Sequence, residues 1–443
     1  MDRRQLLGGL TMLSLSTLFL RGVGMAYRVV LSERIGAEGM GLYQLIMTVY
    51  LLFSMLASAG LTITVSRLCA ERPEAQNSVV RKACGLAFWV GLGLCGVLFS
   101  GSEGIARRLL GDERAVNALR WIAPSLPMMG ISAALKGFFL ARGDVLRPAI
   151  AQICEQLARV GLVLGMLFRW DVTGISSSCT VIFAGAAAAE IVSMAMLWGF
   201  YRRAGVRTAG VLPAGFLVRG CGPIWLGSLM QCGMQTAENL LIPVLLKASG
   251  ASGAHALAQY GMLGGMVLPI LLFPAAFPAA LGTLLLPVIA RENAAGHRGR
   301  VGRLTRRTLR ATLVLSMGFC GAFLVGSRPL MELLYDSEAA GGMLRLLALL
   351  MPFLYLDNIA DALLKGLGRQ GKTMIVEAAD SVLRIVGVVI LLPKMGMMGY
   401  VLVLYGSGIV CAAVRLRMLF GAIKPIPAQK ISTDQCVLRA DSC

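Results

Sequence analysis

The sequence predicts an all-α polytopic membrane protein, with about twelve transmembrane helices in two six-helix lobes. Three observations support this fold class: an apolar composition, a regular series of long apolar runs, and basic residues concentrated in alternate links. Hydrophobic residues make up 57% of the 443 and charged residues only 15%, and the mean hydropathy is +0.74. A soluble protein would expose too much of this apolar surface to stay in solution.

Apolar runs of about 20 residues, the length that crosses a bilayer, recur along the whole chain. They cover residues 7–31, 41–66, 83–102, 116–140, 148–168, 178–201, 220–246, 256–290, 308–327, 340–364, 374–393 and 397–420. The eighth run is too long for one upright crossing and contains Pro269, Pro274, Pro278 and Pro287, so it is one kinked helix or two short ones. We predict one, because two would export the arginines that follow it.

The net charge of +19 is better explained by membrane orientation than by nucleic-acid binding. Basic residues fall mainly in alternate links: Arg3/Arg4, Arg67/Arg72/Arg81/Lys82, Arg142/Arg147, Arg202/Arg203/Arg207, Arg291 to Arg310, Lys365/Arg369/Lys372 and Arg415 to Arg439. The positive-inside rule then places both termini in the cytoplasm. The charged, apolar start imitates a secretion signal, but Arg21 interrupts it, which predicts an uncleaved first span.

The two halves of the chain are separated by a basic stretch at residues 202–219. We therefore expect an N-terminal lobe at 1–206, a C-terminal lobe at 207–423 and a short polar cytoplasmic tail at 424–443. An internal repeat supports this division. In order, Leu135-Lys136-Gly137, Arg142, Glu155 and Arg159 correspond to Leu364-Lys365-Gly366, Arg369, Asp380 and Arg384.

The first span contains two charged residues, Arg21 and Arg28, and no Asp or Glu between Asp2 and Glu33 that could pair with them. Their spacing of seven residues places both on one face of a helix. Because charge at membrane depth is costly, it usually faces a cavity or a pathway. Both arginines are therefore candidate sites for an anionic headgroup, although Arg28 lies near the outer end and could instead extend to the interface.

Two further candidates for headgroup binding are acid–arginine pairs at i,i+4, Glu155 with Arg159 and Asp380 with Arg384. Opposite charges at this spacing meet on one helical face. Each pair could line a cavity, or it could simply neutralise itself and fix neighbouring helices.

Polar residues also interrupt two spans of the second half. Glu238 and Asn239 lie in the seventh span, and Asp357, Asn358 and Asp361 lie in the tenth. Carboxylate and amide oxygens suit Na⁺, and a carboxylate at membrane depth can also exchange a proton. These residues are a candidate coupling-ion site for Na⁺ or H⁺, the alternative being hydrogen bonds that hold helices together.

The sequence excludes several other classes of protein. Residues 366–373 match the phosphate-loop pattern, but they lie between two apolar helices without the preceding strand that such a loop requires, so we do not expect ATP. We find no catalytic set and no metal motif beyond a candidate Na⁺ site, and we expect a transporter without a cofactor rather than an enzyme.

The opening of the chain carries a family resemblance. Arg21-x-x-Gly24-x-x-x-Arg28, running into the segment from Leu31 to Gln44, resembles the start of the stage V sporulation protein B family, and the stretch from Glu155 to Arg159 is similar too. That family lies in the MurJ-like, polysaccharide-export branch of the multidrug/oligosaccharidyl-lipid/polysaccharide (MOP) flippase superfamily. The resemblance covers most of the chain and implies a MATE-like fold.

The resemblance implies alternating access of a central cavity that carries a lipid-linked glycan, such as lipid II, to the outer leaflet during cell-wall or spore-cortex synthesis. The implied partners are this precursor, membrane lipid and cell-wall synthesis enzymes. Unlike MurJ-like flippases, the chain has no Lys or Arg in the second and eighth spans. Two alternatives are a Na⁺- or H⁺-coupled multidrug exporter of the same fold and a scaffold that transports nothing.

Overall fold

The computed structural model describes residues 3–170, 172, 174–205, 210 and 214–423. The predicted tail at 424–443 and the predicted lobe boundary at 206/207 lie outside the described residues. Within the described part of the chain the regular structure is entirely helical, as predicted.

The helices of the first half are as follows. They are α1 (Arg3–Ser58), α2 (Leu61–Glu71), α3 (Gln76–Gly104), α4 (Val116–Ile122), α5 (Ser125–Ala141), α6 (Leu146–Arg169) and α7 (Ile175–Arg203). Short 3₁₀ turns at Pro73–Ala75 and Glu113–Ala115 precede α3 and α4, and a π-helical segment at Ile105–Leu110 extends α3.

The second half contains nine further α-helices among the described residues. They are α8 (Ala214–Ala248), α9 (Gly253–Gly261), α10 (Leu268–Leu272), α11 (Ala276–Ala294), α12 (Arg298–Tyr335), α13 (Glu338–Ala348), α14 (Met351–Gly366), α15 (Gln370–Met395) and α16 (Met397–Ile423). A π-helical segment at Met262–Val267 joins α9 to α10.

Each of the twelve predicted spans coincides with helix in the structure. Several are built from more than one piece: the second from the end of α1 and α2, the fourth from α4 and α5, the eighth from α9 to α11, and the tenth from α13 and α14. By length and composition alone, seven single helices in the described part could cross a membrane, and two bent pairs, α4–α5 and α13–α14, raise this to nine.

The predicted link between the first two spans, residues 32–40, is not a separate loop. Helix continues through it to Ser58, with a kink at Gly36, whose φ of 68° and ψ of −177° lie outside the helical region. This left-handed φ is accessible to glycine at low cost because it has no Cβ. One glycine therefore bends the chain where a loop was predicted.

The eighth span is one run of helical pieces with a break at residues 273–275, between α10 and α11. Pro274 lies in the break, and the π-helical segment ends seven residues before it, at Val267. Proline lacks the N–H that continues a helix, and a π-turn shifts the hydrogen-bond register, so both deform a span. Two backbone carbonyls of this span, those of Gly264 and Leu272, accept hydrogen bonds from the α1 side chains of Gln44 and Arg21.

Helices pack mainly within their own half, α3 with α5 and α6 with α7 in the first, α12 with α13 and α15 with α16 in the second. The halves meet where α1 packs on α8 and α9. A Cβ on Gly41 would lie 2.1 Å from the Leu257 carbonyl oxygen, and one on Gly261 would lie 2.1 Å from that of Ala37. This backbone contact therefore requires both glycines.

Candidate functional site

A cavity of about 680 Å³ lies where the first half meets the eighth span. Its walls come from α1, α6, the π-helical segment and α10. The volume falls within the range of about 300–1,000 Å³ that is typical of ligand sites. It is therefore large enough for a polar headgroup.

Three arginines, Arg21, Arg28 and Arg159, line this cavity together. The polar residues among its other lining side chains are Thr17, Tyr27, Tyr43, Gln44, Gln152 and Gln156. None of the described residues that line it is an Asp or Glu. The cavity thus presents cationic and neutral hydrogen-bonding groups, which is the chemistry that binds an anion.

The two α1 arginines have little internal compensation. Nη1 of Arg21 donates a long hydrogen bond, 3.4 Å, to the backbone oxygen of Leu272 on α10. Arg28 makes no hydrogen bond or ion pair with any residue that the structure describes. Both charges are therefore available to a ligand.

Arg159 differs, because Nη2 contacts Oε1 of Glu155 at 2.6 Å. The predicted i,i+4 pair thus forms. Arg159 also lines the cavity, so the two interpretations offered for this pair are compatible. Its Nε and the hydroxyl of Tyr27 are buried without a hydrogen-bond partner among the described residues. Leaving such donors unpaired is costly, so a bound acceptor would stabilise them.

One acid near this cavity was missed by sequence reasoning. Glu190 on α7 is buried, and its charged neighbours are Glu155, Lys136 and Arg159. Glu155 already pairs with Arg159, so the excess positive charge among the lining residues comes from Arg21 and Arg28.

The second half places its arginines in ion pairs instead. Arg384 does not pair with Asp380 as the repeat predicts: it donates to Oε1 of Glu238 on α8 from Nη2 at 2.6 Å and from Nε at 3.0 Å. The Tyr400 hydroxyl donates to the same oxygen at 3.2 Å. Asp380 instead accepts a hydrogen bond from Ser407 at 2.5 Å.

Asp357 and Asp361 are also compensated by basic side chains. Asp357 accepts a hydrogen bond from Arg415, and Asp361 lies 2.6 Å from Nζ of Lys365. Arg415 was predicted in a basic cytoplasmic link, but it is buried within α16. It also lies 3.6 Å from Glu377 and 3.9 Å from Asp361.

Three comparisons with known proteins bear on this site. The family model described as "Polysaccharide biosynthesis protein" matches residues 6–280, and the model described as MatE matches residues 223–390. The chain belongs to the polysaccharide biosynthesis protein family. It is accordingly a multi-pass protein of the cytoplasmic membrane, and membership points to a transporter or flippase rather than an enzyme.

Two relatives are similar to this chain along most of its length. Stage V sporulation protein B of Bacillus subtilis (strain 168) is 24% identical over 420 residues, which is 90% of this chain and 80% of the relative. A solved lipid II flippase MurJ, in an inward closed conformation, has a TM-score of 0.73 at 15% identity, covering 95% of this chain and 88% of that one.

A solved multidrug resistance MATE family transporter of the MOP superfamily, in an inward-facing conformation, has a TM-score of 0.71 at 16% identity. The alignment covers 92% of this chain and 94% of that one. The predicted MATE-like fold of the MOP superfamily is thus confirmed.

In this family member, the predicted site residues separate into distinct groups. Arg21, Arg28 and Arg159 share the cavity, with Glu155 beside Arg159, whereas Asp380 and Arg384 are not among the residues that line it. The predicted coupling-ion residues divide as well, because Glu238 pairs with Arg384 while Asp357 and Asp361 surround Arg415.

Some cavity residues carried a signal that the sequence prediction did not use. Gln152, Gln156 and Arg159 are spaced i, i+4 and i+7, which places them on one face of α6. Gln44, which lies within the segment that carries the family resemblance, donates to the carbonyl of Gly264 at 2.7 Å. Its partner could not be predicted, because Gly264 is 220 residues away.

Proposed function

We propose that this protein moves a lipid-linked glycan precursor, carried on a polyprenyl pyrophosphate, from the cytoplasmic to the outer leaflet by alternating access. The precursor would serve cell-wall or spore-cortex synthesis, and lipid II is the leading candidate. The observation that carries this proposal is the cavity lined by Arg21, Arg28 and Arg159, with no acid among its described lining residues.

The ligand chemistry follows from the charge of the cavity. Arg159 is balanced by Glu155, so Arg21 and Arg28 supply the two uncompensated positive charges. A pyrophosphate linkage between a lipid and a sugar carries one negative charge on each phosphate, which matches this excess. Charge-assisted hydrogen bonds from arginine to phosphate are short and strong, and they fix orientation.

The amides and hydroxyls of the cavity suit the uncharged part of the same headgroup. Gln156 and Gln152 lie about one and two turns from Arg159 on α6, and Tyr43 on α1 lines the same cavity. Sugar hydroxyls both donate and accept hydrogen bonds, as glutamine amides do. A passage lined by such groups lowers the cost of moving a headgroup through about 30 Å of hydrocarbon.

A reconstituted flipping measurement tests this proposal. The purified protein is placed in proteoliposomes with a fluorescent lipid-linked pyrophosphate glycan, and the fraction of headgroup that becomes accessible outside is followed in time. We expect transfer by the wild type and at least a tenfold slower rate in Arg21→Ala/Arg28→Ala. The control Arg345→Ala, an exposed arginine on α13 outside the cavity, should transfer at the wild-type rate.

The alternative of multidrug export is supported by the MatE match and the MATE structural neighbour. It predicts that the same proteoliposomes move organic cations, and that removing cavity arginines increases this movement because repulsion is lost. Export of cations without flipping would replace our proposal with this one.

Complementation in cells separates the flippase from a scaffold. A strain depleted of this protein should accumulate a lipid-linked precursor on the cytoplasmic side, and the identity of that precursor names the glycan. Full rescue by a folded Arg21→Ala variant would indicate a scaffold.

We also propose that a monovalent cation, Na⁺ or H⁺, is coupled to flipping through the second half. Around Arg415, the carboxylates Asp357, Asp361 and Glu377 exceed the bases Lys365 and Arg415 by one negative charge. One proton or one Na⁺ would balance that charge, and its binding or release would bias the inward/outward equilibrium.

Imposed gradients test the coupling independently of the cavity. We expect the flipping rate in proteoliposomes to change under a Na⁺ or a pH gradient, and Glu377→Gln to remove this dependence because it removes the excess charge. A wild-type rate that is insensitive to both gradients would contradict coupling and leave the flippase proposal intact.

A further inference from the structure

The N-terminal part of α12 carries a dense group of basic residues. Six arginines fall between residues 298 and 310: Arg298, Arg300, Arg303, Arg306, Arg307 and Arg310. All six are exposed, and the helix has no Asp or Glu before Glu332. The corresponding N-terminal turns of α3 in the first half carry only Arg81 and Lys82.

Most of these arginines are not neutralised by the protein. Arg300 contacts Glu292 at 3.1 Å. The pKa of Glu292 is lowered mainly by its hydrogen bond with Arg300 and to a smaller extent by that with His297, so the carboxylate stays charged. For Arg303, Arg306, Arg307 and Arg310, the structure gives no acidic partner among the residues it describes. Their charges are open to an external ligand.

The length of α12 places this group at the membrane surface. The helix has 38 residues and is about 57 Å long at 1.5 Å per residue, nearly twice the thickness of the hydrocarbon core. The stretch from Ala311 to Gly326 contains no charged residue, and Leu313, Val314, Met317 and Val325 within it are exposed. The first turns therefore extend beyond the hydrocarbon into the headgroup region.

The arginines and the lipid-facing residues share one side of the helix. Arg303, Arg307, Arg310, Val314 and Met317 follow one another at spacings of four and three residues, and all are exposed. This spacing is a single helical face. Measured along the helix axis, Arg310 lies about 6 Å and Arg307 about 10 Å from Val314. Because Val314 contacts lipid tails, these arginines lie at the depth of the headgroups of the same lipids.

The opposite side of α12 is fixed to the protein. Val301 and Leu309 are buried with residues of α14 and α16 in one apolar cluster. A Cβ on Gly302 would lie 2.8 Å from Cγ2 of Ile423, so α12 and the end of α16 are in close contact. The helix cannot rotate its arginines inward without exposing this cluster.

We infer that this arginine face, formed by Arg303, Arg306, Arg307 and Arg310, binds the headgroups of anionic phospholipids in the leaflet at the N-terminal end of α12. The occupant is a lipid rather than the remaining chain, because residues 424–443 contain three basic and two acidic residues and do not complement the face. Anionic lipid attracts such juxtamembrane arginines and would hold the second half at a fixed depth.

Lipid titration of the purified full-length protein tests this inference without a transport assay. Binding of phosphatidylglycerol and of phosphatidylcholine is measured in mixed micelles, by native mass spectrometry or a fluorescent lipid analogue. We expect wild type to prefer phosphatidylglycerol. Arg307→Gln/Arg310→Gln should weaken phosphatidylglycerol binding by about 25-fold, or about fivefold for each arginine.

Two control variants make the result specific. Arg307→Lys/Arg310→Lys keeps the charge and should retain most of the binding, which also shows that substitution on this exposed face permits folding. Arg202→Gln/Arg203→Gln removes the same charge from the exposed end of α7 and should change binding less than threefold.

Several outcomes would overturn the inference. Unchanged phosphatidylglycerol affinity in the α12 glutamine variant would do so, as would an equal loss in the α7 control, which would indicate a general charge effect. Displacement of phosphatidylglycerol by millimolar inorganic phosphate would identify a free-phosphate site instead of a lipid surface.

Discussion

The arginines of the two halves lie in similar apolar helices but have different partners. In the first half, Arg21 and Arg28 face a cavity and no acidic partner is described for either. In the second half, Arg384 pairs with Glu238, and Arg415 pairs with Asp357. Charge in a membrane span therefore identifies a ligand site only where the protein itself does not compensate it.

The largest expected effect is on stability, and it should differ between the halves. Arg415→Met leaves the half-buried Asp357 without the cation it contacts, so we expect a loss of about 3–5 kcal/mol in the free energy of unfolding. Arg21→Met should cost less than about 1 kcal/mol, because the residue is exposed in the cavity and makes only a long hydrogen bond. Unfolding of both variants in the same detergent measures this, and equal losses would contradict the comparison.

A double replacement tests whether the second-half pair acts as a unit. Arg384→Met alone should destabilise the protein by about 3–5 kcal/mol, because Glu238 is then buried without its cation. Glu238→Leu/Arg384→Met should recover at least about half of that loss, since no charge remains buried. A double-mutant cycle on the free energy of unfolding measures this. A fully additive cycle would mean that the contact contributes nothing.

A smaller effect, about 1.5–3 kcal/mol or a factor of about 10–150, is expected on ligand affinity when a cavity arginine is removed. Arg21→Ala should weaken binding of a polyprenyl pyrophosphate by this amount while lowering the free energy of unfolding by less than about 1 kcal/mol. Arg159→Ala should weaken binding less, because Glu155 already offsets its charge. Equilibrium titration in detergent gives both affinities, and a larger loss for Arg159→Ala would reverse our assignment of the excess charge.

The smallest effect on pyrophosphate affinity is expected when Arg159 loses its acidic partner and so becomes uncompensated, like Arg21 and Arg28. Glu155→Gln removes the carboxylate that lies 2.6 Å from Nη2 of Arg159 and keeps the shape of the side chain. We expect about fivefold tighter pyrophosphate binding, corresponding to ~1 kcal/mol of Coulomb energy in a hydrated cavity. The same titration measures it, and weaker binding would show that Glu155 positions Arg159 for the ligand.

Sequence reasoning predicted what depends on composition and local spacing. Apolar runs identified all twelve helical passages, and the i,i+4 rule predicted the contact of Glu155 with Arg159. The same rule was wrong for Arg384, because a long side chain at the centre of α15 also reaches α8 and finds Glu238 there. Spacing within one helix cannot show which acid a neighbouring helix supplies.

Arg415 shows a second limit. It lies near the end of an apolar run, where a basic residue normally indicates a cytoplasmic link, yet packing of α14 and α15 buries it among their carboxylates.

Glu190 was readable as a lone acid in an apolar run, but its charged neighbours on α5 and α6 depend on tertiary structure.

The central claim is that uncompensated arginines of the first half bind a pyrophosphate. Competition binding of polyprenyl pyrophosphate against polyprenyl monophosphate, to wild type and to Arg21→Ala/Arg28→Ala, tests it most directly. We predict that wild type prefers the pyrophosphate by at least about tenfold, and that the variant has no preference. Equal affinities for the two lipids in wild type, or the same preference in the variant, would contradict it.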